Sequence, residues 1–139
     1  MGTGRDISLE ATKAYNNGDL DGMAAYYRDD AVLITPDGRF EGIVAVRESW
    51  ARQLAAFPGA QVEMDLDVEE GDVIASEWHF RGVNTGALVL PDGTEIAPSG
   101  KAVELTGCSV TTIRDGKIAS ETMYYDNMTA FAQLGLLPA

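Results

Sequence analysis

The hydrophobic rhythm of this chain changes once, at Pro58-Gly59, and that change limits its fold more than any other feature. Before it, apolar residues recur at helical spacing. Ile43, Val46, Trp50, Leu54 and Phe57 follow one another at intervals of 3, 4, 4 and 3, which defines one face of a helix beginning near Gly42. Upstream, Ile7, Ala11, Ala14 and Tyr15 mark a helix from about Asp6 to Asn17, stopped by Asn17-Gly18. Asp19 then caps a shorter helix through about Tyr27, with Leu20, Met23 and Tyr27 on one side. A short strand, Ala31 to Thr35, runs into the turn Pro36-Asp37-Gly38.

Beyond Pro58-Gly59 the pattern alternates. Val62, Met64, Leu66 and Val68 share one face of a strand from Gln61 to Glu69. Glu70-Gly71-Asp72 turns the chain into a long strand from Val73 to about Leu90, and Pro91-Asp92-Gly93 opens a loop through Gly100, placed to form a rim or lid. Ala102 to Arg114 and Lys117 to Asp126 form a hairpin around Asp115-Gly116. Helices first and consecutive antiparallel strands afterwards specify an α+β fold rather than an alternating α/β one. At 139 residues the expectation is one domain, 1–139, with no repeat and no linker.

Charge narrows the partners. A net charge of −12 opposes sequence-independent nucleic-acid binding, which needs Lys and Arg against phosphates. It disfavours an anionic membrane surface for the same reason. No apolar run approaches the roughly 20 residues that span a bilayer, and the first residues carry no apolar signal region, so cytoplasmic residence is expected. The single cysteine, Cys108, cannot form an internal disulfide and reads as a buried, inert thiol in a strand. One histidine, His79, is too few for a histidine-based metal cluster.

The end of the last strand carries the sharpest chemical signal. Side chains two apart share a face, so Asp126 groups with Tyr124 and Thr122, opposite Glu121, Met123 and Tyr125. In the long strand Trp78, Phe80, Gly82 and Asn84 share one face, and His79 lies on the other with Glu77 and Arg81. A pocket walled by Trp78 and Phe80, with Asp126, Tyr124 and Asn84 inside, would suit a planar apolar ligand bearing carbonyl oxygens. An exposed Asp, with a pKa near ~3.9, is too weak a base for carbon acids. Apolar burial can raise it by roughly 2–3 units, into the range of a general acid/base. Each residue has a simpler reading. Asp126 can cap the terminal segment Asn127 to Gln133, Tyr124 can be core, and Asn84 can satisfy the turn before Thr85-Gly86.

The stretches Phe40-Glu-Gly-Ile-Val-Ala-Val-Arg-Glu-Ser-Trp50, Trp78 through Gly86, Gly107 through Ile118, and Tyr125-Asp126 through Gln133-Leu-Gly135 together span nearly the whole chain. In this order they resemble the SnoaL-like polyketide cyclases of the nuclear-transport-factor-2-like superfamily. The final Asp with Gln-Leu-Gly is the more specific match. The resemblance implies a cone-shaped curved antiparallel sheet with three N-terminal helices enclosing a pocket. It implies an intramolecular aldol condensation on a polycyclic aromatic ester, without metal or organic cofactor, with the acid/base at Asp126. Asn84 and Met123 stand where family members commonly carry histidine. The expected site therefore has Asp126, Asn84 and Tyr124 as catalytic groups, and Trp78, Phe80, Tyr15, Tyr27 and Trp50 against an apolar small-molecule substrate. Homodimerisation through the outer sheet face, where His79 would lie, is also implied. Two alternatives share the pocket: a non-catalytic binding or dimerisation module, and an epoxide-opening or hydroxylating enzyme, which would need Arg47 or Arg81 beside cavity carboxylates.

Overall fold

The computed structural model describes residues 3–90 and 92–137. Three helices come first, α1 (Gly4–Asn16), α2 (Leu20–Ala24) and α3 (Ile43–Ala56), with strands β1 (Tyr27–Thr35) and β2 (Gly38–Glu41) between the last two. Strands β3 (Gln61–Glu70), β4 (Val73–Val83), β5 (Leu88–Val89), β6 (Glu95–Ile96), β7 (Ala102–Arg114) and β8 (Lys117–Tyr124) follow, and α4 (Asn127–Leu134) closes the chain. The fold is α+β. Its curved sheet runs in the order β2-β1-β8-β7-β4-β3, and β5 and β6 pair separately.

Local chemistry sets the boundaries. Thr3 and Asp6 form a reciprocal capping box at the start of α1. Asp19 caps α2 by accepting from the Gly22 N–H at 2.9 Å. Asp115 and Gly116 both take positive φ, as a tight hairpin turn requires. The inner sheet face and the helices bury Ala11, Tyr15, Tyr27, Leu33, Val46 and Ile74 in one cluster, and Phe57, Trp78, Phe80, Val103 and Leu134 in a second.

Several expectations need correction. β1 pairs with β8 in parallel, because the β1–β2 hairpin and α3 intervene before the chain returns; the other pairings of the large sheet are antiparallel. Tyr27 opens β1 instead of ending α2. The long strand stops at Val83, seven residues short of Leu90, because Asn84 turns the chain. The loop to Gly100 contains β6; Pro91, at its head, lies outside the described residues. Cys108 is exposed on the outer sheet face rather than buried.

Two bulges decide which side chains look inward. In β3, Met64 stands opposite Trp78 but Leu66 opposite Glu77, so Asp65 is an extra residue. Val62 and Met64 therefore face the interior, while Leu66 and Val68 are both 56% exposed and Asp67 turns in. In β8, Ile118 pairs with Ile113 and Ser120 with Thr112, leaving Ala119 extra. Past that point the inward residues are Glu121, Met123 and Tyr125, the set opposite to the one alternation assigns.

Candidate active site

A cavity in two adjoining chambers lies between the inner sheet face and the helices. The inner chamber, about 70 Å³, reaches from α1 to β8. The outer one, about 130 Å³, opens between α3, β5 and α4. Trp50, Gln53, Phe80, Leu105 and Tyr125 line both.

Glu121 dominates the inner chamber chemically. It is buried, and desolvation raises its proton affinity above the ordinary carboxylate value, more than its two hydrogen bonds lower it. Those bonds come from the Tyr27 hydroxyl to Oε1 at 2.8 Å and from Thr111 Oγ1 to Oε2 at 3.4 Å. Burial, and the adjacent Glu121, in turn push the Tyr27 phenol well above its usual pKa. The β8 bulge brings Glu121 into line with Leu33 of β1 and Thr111 of β7, while Tyr27 enters from the first residue of β1.

Aromatic residues complete the walls. Tyr15 packs edge-on to Trp50 at 5.8 Å between centroids and donates to Gln53 Oε1 at 2.9 Å. Trp78 donates from Nε1 to Ser109 Oγ at 2.7 Å. Its ring lies over Gly107, where a Cβ would fall 2.4 Å from ring carbons, so only glycine leaves room for it. Trp50 differs. Its residue is 8% exposed and its Nε1 has no hydrogen-bond partner among the described residues, although it lies beside the Tyr27 hydroxyl. An unsatisfied buried donor costs about 1–3 kcal/mol and is uncommon in folded proteins.

Tyr15, Tyr27, Trp50, Trp78 and Phe80 all line the inner chamber. The three residues expected to be catalytic do not. Asp126 is exposed and is the N-cap of α4: Oδ1 accepts from Met128 N and Oδ2 from Thr129 Oγ1, both at 2.9 Å. The Thr129 bond, then the Met128 bond, lower its pKa, the reverse of what a general base needs. Tyr124 points outward, 61% exposed, because the bulge reversed its strand. Asn84 is buried but fully engaged in backbone support. It donates to Ala56 O at 3.1 Å and Gly86 O at 2.9 Å, and accepts from Ser99 N and Oγ at 2.9 Å each. It lines neither chamber. Arg47 pairs with Asp21 on the surface and Arg81 is exposed, so neither supplies an arginine to the cavity.

Sequence reasoning missed Glu121. The available signal was a lone acid between Ser120 and Thr122, in a strand whose residues after Lys117 are otherwise apolar or hydroxyl-bearing. Pairing with Tyr27, 94 residues away in sequence, is invisible without the fold. The outer chamber was likewise not foreseen. It holds Arg52, whose guanidinium sits 5.8 Å from the centre of the Phe40 ring, and Asp37, which accepts from Asn127 Nδ2 at 2.9 Å.

A family model described as a SnoaL-like domain matches residues 9–121. Among solved structures, AclR of Streptomyces galilaeus, a candidate hydroxylase, is similar with a TM-score of 0.82 at 23% identity, covering 97% of each chain. IdmH of Streptomyces antibioticus, a candidate polyketide cyclase, has a TM-score of 0.81 at 25% identity, covering 96% of this chain and 99% of its own. TerC, co-crystallised with polyporic acid, has a TM-score of 0.76 at 15% identity, covering 95% of this chain and 98% of its own. Comparison with the curated proteins finds no match. The match over most of the chain, on a curved sheet wrapped around a helix-covered cavity, places this protein in the SnoaL-like domain family of the nuclear-transport-factor-2-like fold.

Proposed function

We propose that the chain works as one SnoaL-like domain that shuttles a proton on an aromatic carbonyl compound held in the cavity, with Glu121 as the acid/base. The observation that carries this reading is a single buried carboxyl group facing an aromatic-lined chamber and holding its proton more tightly than an ordinary glutamate. Such a group sits closer in proton affinity to its working pH, and a positioned base of this kind contributes about 10²–10⁴ in rate. The carboxylate takes a proton from the carbon next to the carbonyl, the electron pair moves onto oxygen, and the carboxyl returns a proton later. Tyr27 is a positioning residue: its hydroxyl, 2.8 Å away, fixes the carboxyl's orientation. Acid/base chemistry of this kind needs no cofactor, and it suits the ring-closing reactions implied by the family.

A homodimer belongs to the same reading. Register aligns Val68, Ala75 and Val110 in one row across the outer face, and Leu66, Glu77, Cys108 and Tyr124 in the next. Leu66, Val68, Val110 and Tyr124 are all substantially exposed there, a surface suited to a second copy.

Proton exchange tests the enzyme reading without the natural substrate. In D₂O the protein is expected to wash deuterium into the methyl group of an aryl methyl ketone. Glu121→Gln is expected to slow this by about 10²–10⁴. The rate should rise with pH as Glu121 ionises, at a pH above the ordinary carboxylate range. Exchange that is no faster than buffer, or unchanged in Glu121→Gln, ends the proposal.

A further inference from the structure

We infer that the Trp50 indole N–H is the donor that receives the substrate's carbonyl oxygen, and that the substrate is a single-ring carbonyl compound rather than a polycyclic one. The inference rests on the acid/base reading of the same cavity and adds the group that would hold the developing oxyanion.

Two independent observations lead here. Trp50 is more than nine-tenths buried and lines both chambers, yet its Nε1 has no partner among the described residues. The other indole of the chain, Trp78, is satisfied by Ser109 at 2.7 Å. Tyr15 donates to Gln53 and Tyr27 to Glu121, so the tyrosine protons are committed as well. A carbonyl group entering the inner chamber therefore meets, beside the Tyr27–Glu121 pair, an indole donor that is buried without a partner of its own. An oxygen held there puts its neighbouring carbon within the chamber that Glu121 faces. When the proton leaves that carbon for Glu121, the charge gathers on the oxygen against the indole N–H.

Volume supplies the second part. An apolar cavity of about 150 Å³ holds one benzene. The inner chamber, at about 70 Å³, is half that and takes a short acyl group, not a ring. The outer chamber, at about 130 Å³, is near the size of one ring and is walled by Phe40, Phe57 and Phe131. One ring outside and its carbonyl substituent inside fill the two without displacing a helix.

The two tryptophans make the test direct. With ¹⁵N in the indoles, Trp78→Phe assigns the two N–H signals. Acetophenone is titrated alongside isopropylbenzene, which has the same shape but no carbonyl oxygen. Acetophenone is expected to move the Trp50 N–H downfield along the same isotherm as the Met123 methyl. Isopropylbenzene should move the methyl alone. Trp50→Phe should narrow the preference for the ketone by roughly two- to tenfold, the worth of one hydrogen bond; if that variant does not fold, the shifts in the parent protein decide. A Trp50 signal that stays still while Met123 saturates overturns the donor assignment, and so does movement of Trp78 in its place. Failure of acetophenone to saturate the site, or tighter binding of anthraquinone, overturns the single-ring assignment. Loss of deuterium exchange with the Trp50 shift intact removes the Glu121 reading and leaves the donor standing. A missing shift with exchange intact does the opposite.

Discussion

Glu121 and Asp126 are five positions apart and titrate in opposite directions, because one lost water and the other gained donors. For Glu121, whose folded pKa is raised, stability is full below its ordinary value of 4.5 and falls as pH rises through the folded value. Glutamine can still accept from Tyr27 but cannot ionise. Glu121→Gln is therefore expected to match the parent protein in acid and exceed it at neutral pH, which urea denaturation at both pH values will show. That trade of stability for a reactive group is common at active sites. Asp126 has the opposite sign. Its lowered pKa contributes stability above the ordinary value of 3.8, lost as pH falls through the folded value. Asp126→Ala removes the cap of α4 and should lower the melting temperature by a few degrees, while ketone exchange continues at its former rate.

At the scale of elements, the bulges at Asp65 and Ala119 do most to shape the site. Each adds a residue to one strand, increases the local bend, and reverses inside and outside for everything beyond it. The bend wraps the sheet around the cavity, and the reversal delivers Glu121 to it. The middle of the sheet depends on a different device, the missing side chain at Gly107. Gly107→Ala would drive a methyl group into the Trp78 ring and disturb its bond to Ser109. The expected cost is about 1–3 kcal/mol of stability, together with weaker binding of ketones whose acyl group must enter the inner chamber. Calorimetric melting and quenching of tryptophan fluorescence by acetophenone would measure the two effects separately. Asn84 serves the same architecture. It ties the end of α3 to the loop carrying Ser99 and so holds β5 over the outer chamber.

For the whole molecule, a net charge of −12 makes two copies repel each other. Any dimer must then come from apolar contact across the outer sheet face, and salt should strengthen it by screening. Sedimentation is expected to give twice the monomer mass at micromolar concentration, with tighter association at high salt. Val110→Asp, in the centre of that face, should shift the protein to monomers without altering ketone exchange. A monomer at every salt concentration would remove the dimer from the proposal. His79 sits on the same face between Asp65 and Glu63, which hold its pKa above 6.5. Its ion pairs therefore weaken as pH rises through that raised value.

Periodicity along the chain was enough to specify α1, α3 and the main strands, the α+β class and the aromatic walls at Trp78 and Phe80. These follow from local spacing, and each apolar stripe can be buried in only one direction. The same spacing failed past the β3 bulge, where Leu66 and Val68 leave the interior; in β8 the grouping held, but the set containing Asp126 is the outward one. It also could not see a carboxyl made tolerable in the interior by a tyrosine from a distant strand. The polar group that local rules would place in solvent is held inside by tertiary contacts, and the one they would place inside finds a better partner in the first turn of a helix.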